Sequence, residues 1–97
     1  MRVHWTNTAR RHLQAIHDYI AQDSPRYAKG MVDRLTRRAE ELGRYSGLGA
    51  IVPEYQADDV REVLEFPYRI MFRVMSEQID ILAVIHGARL LPPSLAE

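Results

Sequence analysis

Arginine supplies nearly all of the positive charge in this 97-residue chain, since Lys29 is the only lysine among 13 basic residues. A guanidinium group can bind a carboxylate or a phosphate through two parallel hydrogen bonds, which an ammonium group cannot do. Arg69 and Arg73 are two of these arginines, and Glu62 and Glu65 precede them in the chain. Cross-strand salt bridges are therefore one interpretation of this pair, and recognition of an anionic partner is the other.

Other residues that often carry chemistry form no convincing cluster in the sequence. His12 and His17 are five residues apart on a predicted helix and point to different faces, so they do not predict a metal site. Ser24 precedes Pro25 as a helix cap, which engages its oxygen and disfavours a role as nucleophile. No cysteine is present, which excludes disulfides and disfavours a zinc ribbon. We expect no metal and no cofactor.

Composition and charge restrict the class of protein. The length predicts a single domain over residues 1–97, and no apolar run is long enough for a membrane helix. Residues 1–49 contain 9 basic and 5 acidic residues, whereas residues 50–97 contain 4 and 8. A net charge of zero disfavours non-specific wrapping of nucleic acid. The start of the chain has no apolar segment typical of a signal peptide, so we expect a cytoplasmic protein with no membrane partner.

The hydrophobic periodicity predicts an α+β domain with the element order β-α-α-β-β-β. A short strand over residues 2–5 is followed by a helix capped by Thr6, and Ser24 and Pro25 begin a second helix that Gly43 should end. Gly30 inside that helix suggests close helix contact. Three strands follow, over 60–66, 68–74 and 79–85. We expect the helical hairpin to pack on one face of a small, mainly antiparallel sheet.

The opposite face of this sheet should also be apolar. Tyr68, Ile70, Phe72 and Val74 form the predicted core face, which places Met71 and Met75 with Arg69 and Arg73 on the other side. Either a partner covers that face, or a curled sheet or a folded-back tail hides it. The residues predicted to bind a partner are Arg69, Met71, Arg73 and Met75, with Tyr27 and Met31 on the helical hairpin as the next surface.

Several segments, in order, resemble the ParE/RelE superfamily of toxins. The most specific are Tyr68–Val74 and Ile81–Arg89, and weaker ones are Val3–Thr6, Tyr19–Pro25, Val52–Glu54 and Val60–Glu62. The resemblance covers nearly the whole chain and implies the RelE/ParE-like fold. It also implies a type II toxin–antitoxin system, often associated with plasmid stabilization, in which an antitoxin silences the toxin and usually binds operator DNA.

The two branches of the superfamily imply different mechanisms. RelE-like members are ribosome-dependent mRNA endonucleases, and the resemblance places Arg61, Arg69, His86 and Arg89 where such a nuclease has its cations and acid. The lysine expected near Val63 and the late tyrosine are absent, so no base is evident. His86 has a second interpretation, as a structural residue that only forms hydrogen bonds at the end of a strand.

These absences favour the ParE-like branch, whose members are described as inhibitors of DNA gyrase. The sequence therefore predicts a protein-binding toxin, not an enzyme, with a ParD-like antitoxin and DNA gyrase as partners and operator DNA reached only through the antitoxin. A RelE-like metal-free endoribonuclease and a non-toxic relic that acts only in a repressor complex remain the alternatives.

Overall fold

The computed structural model describes residues 1–45, 47, 49–55 and 59–87, which form two helices and five strands. The elements are β1 (Arg2–Trp5), α1 (Asn7–Ala21), α2 (Pro25–Arg44), β2 (Ala50–Ile51), β3 (Val60–Glu65), β4 (Tyr68–Val74) and β5 (Gln78–His86). The predicted α+β class and the helical hairpin are confirmed. The strand β2 was not predicted, because two residues are too few to show an alternating pattern. None of the described helices is long and apolar enough to cross a membrane.

The strands form one sheet in the order β1-β5-β4-β3-β2. β1 pairs with β5 in parallel, and every other pair is antiparallel, so the mainly antiparallel sheet is confirmed. β5 lies between β1 and β4, and its residues from Ile81 to Val84 are buried. A strand with neighbours on both sides and cover on both faces needs a nearly continuous apolar sequence, which β5 has.

Both helices begin at the predicted caps. The hydroxyl of Thr6 accepts a hydrogen bond from the Ala9 amide at 3.2 Å, and the hydroxyl of Ser24 accepts one from the Tyr27 amide at 3.1 Å. Pro25 follows as the first residue of α2, where a missing amide costs nothing. Thr6 is 1% exposed and also donates its hydroxyl to the Ile81 carbonyl at 2.8 Å. The same side chain thus starts α1 and attaches that helix to the sheet.

The main core lies between the helical hairpin and one face of the sheet, which is called the helix face below. It contains Leu35 and Leu42 of α2 together with Ile70 and Phe72 of β4, all fully buried. Val3, Trp5 and Leu13 are only partly buried at its margin. The predicted core face of β4 is therefore confirmed.

A β-bulge in β5 brings Ile81 and Val84 onto the same face of the sheet. Met71 pairs with Ala83, but the next residue, Phe72, pairs with Ile81, so Leu82 is the extra residue. Without the bulge, Ile81 and Val84 would point to opposite faces, since they are three residues apart. With it, both belong to the main core.

Two glycines in α2 differ from the sequence-based expectation. Gly43 does not end the helix, which continues to Arg44, and its φ angle is not positive. A Cβ atom at Gly43 would lie 2.6 Å from the Met1 carbonyl oxygen and 3.0 Å from the Val3 side chain. Gly43 is thus needed for the close approach of the first strand. Gly30 makes no close helix contact, since a Cβ there would have open space around it.

Alanine substitution should therefore change stability in opposite directions at these two positions. We expect Gly43→Ala to destabilise the chain by roughly 1–3 kcal/mol, because backbone must move to relieve the overlap. We expect Gly30→Ala to stabilise it by about 0.5–1 kcal/mol through helix propensity alone. Urea unfolding followed by Trp5 fluorescence measures both values. Equal effects of the two substitutions would show that Gly43 is not a contact residue.

Candidate functional site

A cluster of one arginine and two glutamates lies on the sheet face opposite the helices, which is called the second face below. Arg69 donates to both carboxylate oxygens of Glu54 at 2.9 Å, and to the two oxygens of Glu62 at 2.7 and 3.1 Å. The whole Arg69 residue is 8% exposed. Both sides of its guanidinium group are therefore occupied by carboxylates, and Arg69 has little capacity left to bind a phosphate or an antitoxin carboxylate.

This cluster holds a chain segment against the second face. Glu54 belongs to the connection between β2 and β3, and Val52, two residues earlier, is fully buried in a second apolar cluster. That cluster also contains Val60, Met71, Leu82 and Ala83. The described start of the connection after β2 therefore covers the part of the second face around Met71. The tail, which the sequence offered as another possible cover, lies outside the described residues.

Met71 is consequently not an exposed partner-binding residue as the sequence had predicted, since it is fully buried. The prediction failed because strand alternation identifies the face of a residue but not what covers that face. Met31 is a second correction. It is 6% exposed and belongs to the main core, whereas Tyr27 on the same helix is 69% exposed.

The remaining two residues predicted on the second face are more accessible. Met75 is 43% exposed, at the end of β4. Arg73 lies 3.1 Å from the Asp59 carboxylate through its Nε atom, although that N–H makes no hydrogen bond to any described residue. Glu62 and Glu65, the predicted partners of Arg69 and Arg73, form ion pairs with Arg69 and Arg34, respectively. Arg73, Met75 and Tyr27 are therefore the predicted partner-binding residues that lie at the surface.

The charges in the Arg69 cluster affect one another. Hydrogen bonds from Arg69 lower the pKa of Glu54, against a smaller opposing effect of desolvation. The pKa of Arg69 is raised, first by its bonds to Glu54 and then by those to Glu62. Glu54 and Arg69 are thus both held in their charged forms at neutral pH.

The residues predicted for RNA cleavage do not meet in the described part of the chain. His86 pairs across the strands with Tyr68, on the helix face, and the two rings form an edge-to-face contact with centroids 5.8 Å apart. Arg69 is the next residue along β4 and so points to the second face. Arg61 is on the helix face like His86, but it pairs with Phe72, which is four residues along β4 from Tyr68, the partner of His86. Arg89 lies outside the described residues.

Two grooves border α1. The smaller, about 410 Å³, lies between α1 and the end of β5 and is lined by two histidines, two tyrosines and four other residues. His12 in this groove accepts a hydrogen bond from the Val84 amide at its Nδ1 atom, at 3.1 Å. This bond satisfies a backbone donor of β5 beyond the end of β1, which makes His12 a structural residue that sequence pattern did not reveal.

The larger groove, about 610 Å³, lies beside β1 and between the two helices. Its apolar lining comes from Val3, Trp5, Leu13 and Val32, all partly exposed. Its polar lining comes from His4, Arg10, Gln14, His17 and Thr36. No single strand or helix carries this set, so no periodic pattern could have predicted it. We refer to it as the β1 groove.

Comparisons with known proteins cover most of the chain. Residues 3–91 match the family described as ParE toxin of type II toxin-antitoxin system, parDE. Toxin RelE2 of Caulobacter vibrioides is 36% identical over 87 residues, which is 89% of this chain and 94% of that protein. A chain of the chromosomal ParDE toxin–antitoxin system from P. aeruginosa has a similar structure, with a TM-score of 0.74 and 30% identity, over 89% of this chain and 95% of that one.

The contrast between Arg69 and Arg73 leads to a prediction about stability. We expect Arg69→Ala to destabilise the chain by roughly 2–4 kcal/mol, because it leaves two partly buried carboxylates without a cation. We expect Arg73→Ala, on the same strand and face, to cost less than about 1 kcal/mol, because the side chains of Arg73 and Asp59 in its ion pair are 42% and 55% exposed. Denaturant titration at pH 7 tests both. Similar losses for the two variants would contradict a special role for Arg69.

The lowered pKa of Glu54 predicts how stability depends on pH. The folded state binds this proton more weakly than the unfolded chain, so the stabilisation is present above the ordinary glutamate pKa of about 4.3 and is lost as the pH falls further. Glu54→Gln should be less stable than the wild type at pH 7, and the difference should shrink between about pH 5 and pH 3. Glu40→Gln, at an exposed position of α2, is the control and should keep the wild-type profile. A constant difference across this range would contradict the assignment.

Proposed function

The chain belongs to the ParE toxin family of type II toxin–antitoxin systems, and we propose that it arrests growth by binding DNA gyrase and not by cutting RNA. In this proposal a ParD-like antitoxin silences the toxin by forming a complex with it. Operator DNA is then contacted only through the antitoxin. The proposed place of action is the cytoplasm, where a toxin of this kind meets gyrase.

The state of Arg69 is the observation that carries the proposal. A metal-free ribonuclease needs a base, an acid and at least one cation that is free to approach the phosphate. Arg69 is buried between two carboxylates and points away from the face that holds His86. The chain also lacks an aromatic residue after Phe72 and a lysine near Val63, both expected in a RelE-like nuclease. These features favour a toxin that acts through its surface.

The RelE-like ribonuclease remains the second candidate, because a relative that is 36% identical bears the name Toxin RelE2. In that case His86, Arg61 and Arg89 would have to act without Arg69. A relic that works only within a repressor complex is the third candidate. It differs from both in lacking toxicity.

The proposal predicts a specific kind of toxicity. Induced expression of the chain alone should stop growth, and co-expression of the adjacent reading frame should restore it. Cleaved DNA should accumulate with purified gyrase, the DNA-damage response should be induced, and mRNA on translating ribosomes should stay intact. Agarose gels of gyrase reactions and primer extension on mRNA measure the two outcomes.

Three variants separate a protein-binding toxin from a ribonuclease. His86→Gln, Arg61→Ala and Arg89→Ala should still arrest growth if no RNA is cut. mRNA cuts at codon positions that disappear in these variants would instead establish the ribonuclease. Arg69→Ala is unsuitable for this test, because its expected loss of stability would remove either activity. Normal growth with soluble wild-type protein would support the relic.

A further inference from the structure

The three most exposed large apolar residues in the described part of the chain are all aromatic. Phe66 is 87% exposed, Tyr19 is 72% exposed and Tyr27 is 69% exposed. Single apolar residues at a protein surface are ordinary, whereas several at one place mark an interaction surface. Their position in the fold therefore decides whether they form such a surface.

Phe66 and Tyr19 lie at the end of the sheet where β5 finishes. Phe66 and Pro67 form the turn between β3 and β4, and Tyr68, directly after this turn, pairs with His86 at the end of β5. Tyr68 and His86 line the smaller groove together with Tyr19, which is in the last turn of α1. The helix side of this groove thus carries Tyr19, and Phe66 stands beside its sheet side.

Tyr27 lies at the same end of the molecule, in the first turn of α2. The last turn of α2 packs against the start of β1, where Gly43 makes its close contact. Because β1 and β5 are parallel, the first turn of α2 lies toward the end of β5. An ion pair of 3.9 Å between Arg34 of α2 and Glu65 places the helix beside the turn after β3. We refer to the surface formed by Tyr19, Tyr27 and Phe66 as the aromatic end.

The surroundings of the aromatic end carry little net charge. No aspartate, glutamate, lysine or arginine is among the described residues that line the smaller groove. Lys29 and Arg34 of α2 are each in an ion pair with an acidic residue. Asp23 and Arg26, which are close to Tyr27 in the chain, have opposite charges. A phosphate backbone would find no excess of positive charge here, so the surface suits an uncharged, apolar patch of another protein.

The size of the aromatic end is sufficient for the centre of a protein interface. Each aromatic side chain buries roughly 150–250 Å² when it is covered, so three of them offer roughly 450–750 Å². A stable complex buries about 800 Å² on each partner. Aromatic residues are also enriched among the few side chains that supply most of the binding energy of an interface.

We propose that the aromatic end binds gyrase, with Tyr19, Tyr27 and Phe66 inserted in an uncharged, apolar cleft of that enzyme. This inference rests on the proposed function and names the surface that the toxin presents to its target. An apolar side chain of the target enters the smaller groove in return. Burial of the three rings and of this groove supplies the affinity.

Two exposed tyrosines at opposite ends of α2 provide a matched test. Tyr45, at the end of this helix, is 62% exposed and lies about 27 Å along the helix from Tyr27. Interferometry with purified gyrase holoenzyme should show at least about tenfold weaker binding for Tyr27→Ala and less than about threefold for Tyr45→Ala. Tyr27→Phe should stay within about threefold of the wild type, because it keeps the ring. Equal losses for the two alanine variants would overturn the proposal.

A second pair compares the two hairpin turns of the sheet. Phe66→Ala should weaken binding to gyrase by about tenfold or more, whereas Met75→Ala, at the other end of β4, should weaken it less than about threefold. The urea midpoint of Phe66→Ala should equal that of the wild type, because the side chain is exposed. A lowered midpoint would show that Phe66 packs against the chain itself, for example against the residues after Gly87, and would overturn its role in binding.

The outcomes distinguish this inference from the proposed function. If the wild-type chain neither binds gyrase nor traps cleaved DNA, the proposed function fails and the inference fails with it. If the wild type binds gyrase and both Tyr27→Ala and Phe66→Ala bind as tightly, gyrase is the target and the aromatic end is not the surface. If these variants bind gyrase normally but lose the product of the adjacent reading frame, the aromatic end belongs to the antitoxin, which also overturns the inference.

Discussion

Thr6 joins β1, α1 and β5 at a buried point of the molecule. Its amide donates to Ile81, its hydroxyl donates to the same carbonyl, and the hydroxyl oxygen also accepts the Ala9 amide. These three bonds align β1 with β5 and begin α1 at one position relative to the sheet. Replacing the side chain by one without a hydroxyl would leave a helix amide and a strand carbonyl without a bond in a buried place.

The remaining architecture follows from that alignment. Because α1 begins directly after β1, the helix passes over the part of β5 that β1 does not reach, and His12 there meets the Val84 amide. The same arrangement leaves the outer side of β1 without a neighbouring strand among the described residues and opens the β1 groove between the helices. The β1 groove is thus a consequence of where one threonine starts a helix.

Sequence pattern predicted the elements of this fold well and its contacts less well. Thr6, Ser24 and Pro25 located the helix starts because caps act through neighbouring residues, and β4 was predicted with its observed bounds because alternation over seven residues is a local signal. Met71 was assigned to the correct face but was expected to be exposed there, because its cover, Val52, lies far away in sequence. Gly43 was misread as a helix end for the same reason, since its contact is with Met1. Of the two carboxylates that bind Arg69, the sequence predicted only Glu62, which lies on the neighbouring strand. Glu54 was missed because it lies in a connection, and no periodic pattern describes the path of a connection.

The cover of the second face has a consequence for how the folded chain opens. The main core joins two helices to the sheet, whereas the second cluster has five buried residues in the described part of the chain, and the Arg69 salt bridges hold its covering segment. A unit of this size can detach while the rest stays folded, at a free-energy cost below that of global unfolding. Cellular proteases act on such partly opened forms. Among the described elements, we therefore expect the segment around Val52 and Glu54 to become accessible to proteases before the strands beneath the helices separate.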